Sequence, residues 1–260
     1  MRILDKEKHI PQNLLSASRK RFSGNCSPHG HDFFEIEYIL SGNGTYQIDG
    51  RTYPMKQGTL ILLSPANIHA VVNAEVEMFN VMFTCEPSEA VLRLLSGGAT
   101  LLKLEEGDRA FAEPLLTELV TAQERDRRYA LLLLQCLLQK LALLAPTPPS
   151  PMPLYTNRAI LYLLNGFRRG ITLEETARHL GLSSAYFSDL FFKQTGKNFK
   201  AYLDDLRFTY AENLLLLTDL PVCEIHTASG FADYANFARR FKMRHGISPT
   251  DYRAQKTEKR

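Results

Sequence analysis

Cysteine is scarce: Cys26, Cys85, Cys136 and Cys223 stand far apart, with no C-x-x-C pair among them. That spacing excludes a disulfide framework and a zinc cluster and points to a reducing compartment. An apolar signal core is also missing, because the chain begins MRILDKEK. The greasiest run, residues 131–145, is interrupted by Gln135, Gln139 and Lys140 and is too short to span a bilayer. A cytoplasmic protein without membrane association is expected.

Net charge is small, with 31 basic against 28 acidic residues, but it is unevenly placed. Residues 1–153 hold 15 Lys and Arg against 17 Asp and Glu; residues 154–260 hold 16 against 11. The second part, at +5, has the sign expected of a nucleic-acid partner. The boundary is a stretch with five prolines in residues 146–153, which suits a semi-rigid linker and no helix or sheet interior. At 260 residues the chain is long enough for two cores.

The basic part repeats itself. Phe187, Phe191, Gly196 and Tyr202 match Phe237, Phe241, Gly246 and Tyr252 at one shift of 50 residues. Each copy reads as helix, glycine turn (Gly181, Gly230), helix, which is the unit that places a second helix in the DNA major groove. Thr172 with Glu175 forms a capping box, and Ser183 and Asp233 cap the reading helices. Residues 200–217 form a long helix holding the copies apart. In the first copy Ser184, Ala185 and Ser188 lie off the Phe187/Phe191 stripe. In the second, Asn236, Arg239, Arg240 and Lys242, with Asp233 at the start, surround Phe237 and Phe241. Arg suits guanine, Asn suits adenine, and Lys neutralises phosphate. Asp189 holds the place of Arg239 in the first copy, so unequal use of the two helices is expected.

Residues 34–40, 44–49, 59–63 and 76–83 are short β-type runs separated by turns at 41–44, 49–50 and 56–58, which suggests an antiparallel barrel or sandwich. Two helices follow, 108–125 and 129–145. The second is apolar over most of its circumference, more than packing on one barrel requires.

On Leu173 to Ala177, Leu190 to Lys193, Arg207, Gly230, Phe231, Phe237, Phe241 and the closing SPTDYR, residues 154–253 resemble the DNA-binding domain of the AraC/XylS family of bacterial transcription regulators. His29, Gly30, His31, Glu35 and Gly42, then Gly58, Pro65, His69 and Asn73, resemble the two motifs of the cupin barrel found in many such regulators.

The expected fold has two domains. An N-terminal all-β cupin-like barrel (1–105) with two appended helices in a dimerisation segment (106–145) precedes the linker (146–153). An all-α DNA-binding domain (154–256) follows, with two helix-turn-helix units (about 173–196 and 222–246) joined by a long helix. The resemblance implies a ligand-responsive, sequence-specific transcription regulator, not an enzyme and without a cofactor. Its implied partners are promoter DNA on the bacterial nucleoid, RNA polymerase, a small-molecule effector such as a sugar, and a second copy joined through Leu134, Leu137, Leu138 and Leu141. His29, His31, Glu35, Tyr46 and His69 are expected to line the effector site. Those histidines and Glu35 are also residue types that bind divalent iron or manganese in cupin enzymes; the reading assigns no metal, and a metal-dependent enzyme or a DNA-independent adaptor stays as the alternative.

Overall fold

The computed structural model describes residues 3, 4, 10, 15–84, 89–96, 101–145 and 153–257. The expected linker, apart from Pro153, lies outside the described residues. Seven strands form one sheet: β1 (Ile3–Leu4), β2 (Leu15–His31), β3 (Phe34–Ile48), β4 (Arg51–Lys56), β5 (Thr59–Leu63), β6 (His69–Phe83) and β7 (Leu101–Lys103). Their order is β1, β2, β6, β3, β5, β7, with β4 also paired to β3; only β1 and β2 run parallel.

The strands β2, β3 and β6 are 17, 15 and 15 residues long and curve by bulging, with register breaks at Gly24/Cys26, Cys26/His29, Ile39/Ser41 and Asn43/Thr45. The expected turn at 41–44 is one of these bulges inside a continuous strand. There Gly42 has φ +92° and lies so near the Glu75 backbone that no side chain fits. Strand β2 was not expected, because its middle is exposed and polar and lacks a hydrophobic alternation. Pairing with β6 along most of its length holds it.

Alternation along β3 separates two environments. Phe34, Ile36 and Tyr38 join Phe79, Val81 and Phe83 in a core shared with helices. Glu35, Glu37 and Ile39 point the other way, toward the interior with Tyr46, Met78 and Leu63. The helices are α1 (Glu89–Ser96), α2 (Glu106–Arg125) and α3 (Arg127–Leu144). The Tyr38 hydroxyl donates to Glu113 of α2 at 2.6 Å, tying helix to sheet.

One expectation is corrected here. Leu134, Leu137, Leu138 and Leu141 are only 0% to 3% exposed and pack within the chain, against α2 and the sheet core. Helix α3 lies between other elements, so its broadest apolar face is used internally. Its outward stripe is Tyr129, Leu132, Cys136, Gln139 and Leu143, with Leu132 61% and Leu143 70% exposed.

Beyond Pro153 come α4 (Leu154–Gly166), α5 (Leu173–His179), α6 (Ser184–Thr195), α7 (Phe199–Leu217), α8 (Val222–Ala228), α9 (Tyr234–His245) and α10 (Pro249–Thr257). The expected Thr172/Glu175 capping box is formed, Ser183 and Asp233 cap α6 and α9, and Gly196 and Gly246 end them in the left-handed conformation. The repeated phenylalanines Phe187, Phe191, Phe237 and Phe241 are all fully buried.

The two turn glycines differ in surroundings. Both have positive φ, but a Cβ on Gly181 meets open space, whereas one on Gly230 lies 2.7 Å from the Arg168 backbone. Gly181→Ala is expected to cost about 1–2 kcal/mol for the left-handed conformation alone. Gly230→Ala should lose a further 1–3 kcal/mol or so through overpacking. Urea midpoints of the two variants check this, and equal losses would show that the close approach at Gly230 is not a constraint.

Candidate functional site

Curvature of the three long strands brings the end of β2, the start of β3 and the start of β6 together inside the barrel. There His31 Nε2 lies 3.3 Å and His69 Nε2 3.6 Å from the same oxygen, Glu35 Oε2. The other oxygen, Oε1, accepts from Asn80 Nδ2 at 2.6 Å, and that amide also lies 3.2 Å from Glu37 Oε1. The His31 Nδ1 faces the Phe33 carbonyl at 2.6 Å; a carbonyl only accepts, so this nitrogen carries the proton. His29 stacks on His69 with ring centroids 4.1 Å apart, but its Nδ1 is turned to the Ser27 carbonyl at 2.9 Å. His69 Nδ1 is buried without a hydrogen-bond partner among the described residues, and Glu37 and the Tyr46 hydroxyl share the same buried interior.

Charge in this interior is set by burial and close neighbours. Burial pushes Glu35 up, but the His31 and His69 imidazoles and the Asn80 amide outweigh it and hold the carboxyl well below the usual range. For Glu37, burial and the Glu35 charge act together and push it up to about 7. Burial, then the Glu37 charge, raises Tyr46 well above an ordinary phenol. Burial also drives His69 well below an ordinary imidazole despite the attraction of Glu35. The sequence reading missed Glu37 and Asn80. Glu37 shares the inward face of β3 with Glu35 two residues away, which was a usable signal; Asn80 is placed only by its register opposite Glu37.

The same end of the barrel carries the helical domain. Arg168, just after α4, donates from Nη2 to the His31 carbonyl at 2.9 Å and from Nη1 to the Tyr210 hydroxyl at 3.3 Å. Asp49, at the β3–β4 turn, accepts from Asn67 at 2.5 Å, from the Ile68 amide at 2.9 Å and from Asn213 of α7 at 2.8 Å. Ile68, next to His69, is buried in the core of the helical domain. Beside this seam is a cavity of about 170 Å³, walled by Gln47, Thr52, Ile68 and His69 from the barrel and Leu216 and Leu217 from α7. Of the five expected effector residues, His69 alone reaches the cavity wall. His31, Glu35 and Tyr46 lie deeper, and His29 stands beside His69.

On the second reading helix, Asn236, Arg239 and Lys242 are exposed, with Arg239 Nη2 donating to Asn236 Oδ1 at 3.0 Å. Arg240 is placed differently from the sequence reading. It lies over Phe208 and Phe231 and forms a two-pronged pair with Asp204 of α7, so its guanidinium braces α9 on α7 instead of facing out. Asp233 is likewise occupied, accepting from the Asn236 amide at 2.6 Å as the helix cap. On α6, Ala185 and Asp189 are exposed while Ser184 and Ser188 are half-buried. Tyr186, 56% exposed on the first turn of α6, was overlooked because an aromatic reads as core.

Comparison with known proteins agrees with both halves. An AraC-like ligand binding domain model matches residues 17–142, and a helix-turn-helix domain model matches residues 176–255. Similar proteins include the uncharacterized HTH-type transcriptional regulator YfiF of Bacillus subtilis, 25% identical over 87% of this chain and 78% of its own length. The arabinose operon regulatory protein of Escherichia coli is 24% identical over 89% and 84%, and the HTH-type transcriptional activator RhaR of Enterobacter sp. 24% over 86% and 86%. None of these comparisons supports the enzyme or adaptor alternatives. Among the described residues no helix is long and apolar enough to cross a membrane. A barrel with a buried polar interior, seated on two capped helix-turn-helix units, therefore places the chain in the AraC family of ligand-binding, DNA-binding transcription regulators.

Proposed function

We propose that this regulator senses a small polar molecule of the sugar class in the cavity between barrel and α7, and that occupancy changes how the helical domain is presented to promoter DNA. The observation that carries the reading is the position of the cavity, with Gln47, Thr52 and His69 on one wall and Leu216 and Leu217 on the other. An occupant there touches both domains, so its affinity depends on their arrangement, which is the condition for shifting a conformational population. The similarity to an arabinose operon regulatory protein supports the sugar class. Filling the cavity from the rim with Thr52→Trp should abolish the thermal-shift response to pentoses, hexoses and polyols while DNA binding by the unliganded protein persists. An undiminished response would place the effector elsewhere.

The second reading helix supplies most of the base recognition in this proposal. Arg239 is exposed between the buried Phe237 and Phe241, whereas its counterpart Asp189 carries the same sign as phosphate. With operator fragments selected from genomic DNA, Arg239→Ala is expected to cost about 1–3 kcal/mol in binding and to relax preference at one base position. Asp189→Ala should leave affinity unchanged or raise it for all sequences. Arg240→Ala should lower the unfolding midpoint, since it leaves Asp204 unpaired between two helices. Competition binding against single-base operator variants, with melting curves alongside, separates the three; loss of binding in Asp189→Ala alone would reverse the assignment.

Homodimerisation belongs to the same proposal, through the outward stripe of α3. Tyr129, Leu132, Cys136, Gln139 and Leu143 recur at the three-to-four-residue spacing of a two-helix seam. Cys136 is at its centre, so a two-fold pairing of antiparallel helices about that point sets Tyr129 against Leu143 and the two Cys136 thiols against each other. Leu132→Arg should shift the protein from dimer to monomer in light scattering, and mild oxidation should cross-link the unsubstituted protein but not Cys136→Ser. Dimers that survive Leu132→Arg would move the interface off this helix.

A further inference from the structure

The outward faces of α6 and α9 differ in chemistry, although the two helices are copies. In each the buried phenylalanines fix the inner side, and with about 3.6 residues per turn the positions opposite them are Ala185, Asp189 and Phe192 on α6 and Ala235, Arg239 and Lys242 on α9. All six are exposed. Tyr186 flanks the first stripe where Asn236 flanks the second. The α9 stripe offers donors and positive charge. The α6 stripe instead holds Phe192, 58% exposed, with Tyr186, 56% exposed, at its edge. Rolling α6 to bury these rings would unseat Phe191, which meets Phe199 and Tyr202 edge to face at centroid distances of 5.9 and 5.3 Å. It would also break the cap, in which the Ser183 hydroxyl accepts from the Tyr186 amide at 3.3 Å. Apolar surface held outward on one helix face in this way marks a contact with another molecule.

The partner follows from the sister helix. A unit of this kind lays its second helix in the major groove with the outward side against the base edges. Those edges carry a single apolar group, the thymine 5-methyl, which Ala and Phe side chains contact. Hydrogen-bond readout of guanine or thymine is not open to the α6 stripe, since a carboxylate has no donor for guanine O6 and N7 or for thymine O4, and Ala185 and Phe192 have none either. We propose, on the assignment of α6 and α9 as the two DNA-reading helices, that Phe192 and Ala185 recognise thymine through its 5-methyl group. The two side chains are two turns apart, about 10 Å along the helix, so the methyls they meet lie within about three base pairs of each other. Lys193 is exposed on the Tyr186 edge and suits the phosphate beside them. Recognition is thereby divided, with α9 using hydrogen bonds and α6 using methyl contact.

The test uses the full chain and operator fragments selected from genomic DNA. Selected sites should share thymine at one or two fixed positions away from the base governed by Arg239. Replacing each by deoxyuridine, which removes only the methyl, should weaken binding about fourfold, the effect of burying one carbon group. Phe192→Ala should weaken binding to the thymine operator and make the most sensitive deoxyuridine replacement silent, whereas Arg239→Ala should leave the effect of that replacement intact. Phe192→Lys, which gives α6 the side chain that α9 has at this place, should bind all sequences more tightly at low salt, with a steeper salt dependence and no discrimination of thymine from deoxyuridine. Because Phe192 is exposed, both variants should melt as the unsubstituted protein does. Deoxyuridine throughout the operator with no loss of affinity overturns the proposal. A loss in Phe192→Ala that is equal on thymine and deoxyuridine DNA overturns it too, as does unchanged DNA binding in that variant, which would point to a protein partner for the ring. Thymine dependence coupled to Phe192 while Arg239→Ala changes nothing removes only the assignment of α9; a base preference lost in Arg239→Ala without any thymine dependence removes only the role of α6 as a thymine reader.

Discussion

A carboxylate kept ionised inside a protein must be surrounded by groups that replace water, and that demand on Glu35 shapes both halves of this chain. The groups come from separate places in the sheet: Asn80 from near the end of β6, His31 from the end of β2 and His69 from the start of β6. Only strongly curved strands bring those three positions to one point. The bulges at Gly24, Cys26, Ser41 and Asn43 supply that curvature. The strand ends so gathered form the corner on which Arg168, Asn213 and the core around Ile68 are seated. Interior chemistry and domain docking therefore share residues.

The same requirement for pairing separates Arg239 from Arg240. The two are adjacent in sequence and equally suited to DNA by type. Arg240 lies over Phe208 and Phe231 with Asp204 on its far side, and a guanidinium in that setting is committed to the fold. Arg239 bonds to Asn236 one turn back and stays at the surface. Which of the two stays exposed is decided by α7, 36 residues earlier in the chain.

That distance marks where the sequence was legible. Features with local causes were plain: the Thr172/Glu175 capping box, the Ser183 and Asp233 caps, and the phenylalanine register of the two units all depend on neighbours within one turn. The histidines and Glu35 were visible as residue types. Their partners were not, because Asn80 is brought to Glu35 only by strand register, and Arg240 to Asp204 only by helix packing. Helix α3 shows a second limit. Periodicity identifies Leu134, Leu137, Leu138 and Leu141 as an apolar face, but not whether another subunit or this chain covers it. Strand β2 shows a third, since an exposed polar segment held by backbone pairing carries no hydrophobic pattern.

The seam between the domains combines apolar packing with a few hydrogen bonds, and the hydrogen bonds bear on regulation. Leu161 of α4 is buried in the core beside α1, Ile68 is buried among the helices, and between them lie the Arg168 bond to the His31 carbonyl and the Asn213 bond to Asp49. A hydrogen bond to a charged group contributes about 1.5–3 kcal/mol, the same range as the coupling free energy between two sites in a typical allosteric protein. Breaking or making one such bond is therefore enough for a useful response, and no rearrangement of either core is required. Linkage then works in both directions: whatever the effector does to DNA affinity through this seam, bound DNA must do to effector affinity by the same factor. Arg168 is suited to that role because Tyr210 holds its other guanidinium nitrogen from within the helical domain. Were the bond to His31 broken, Tyr210 would still hold the group, and water could take the place of the carbonyl.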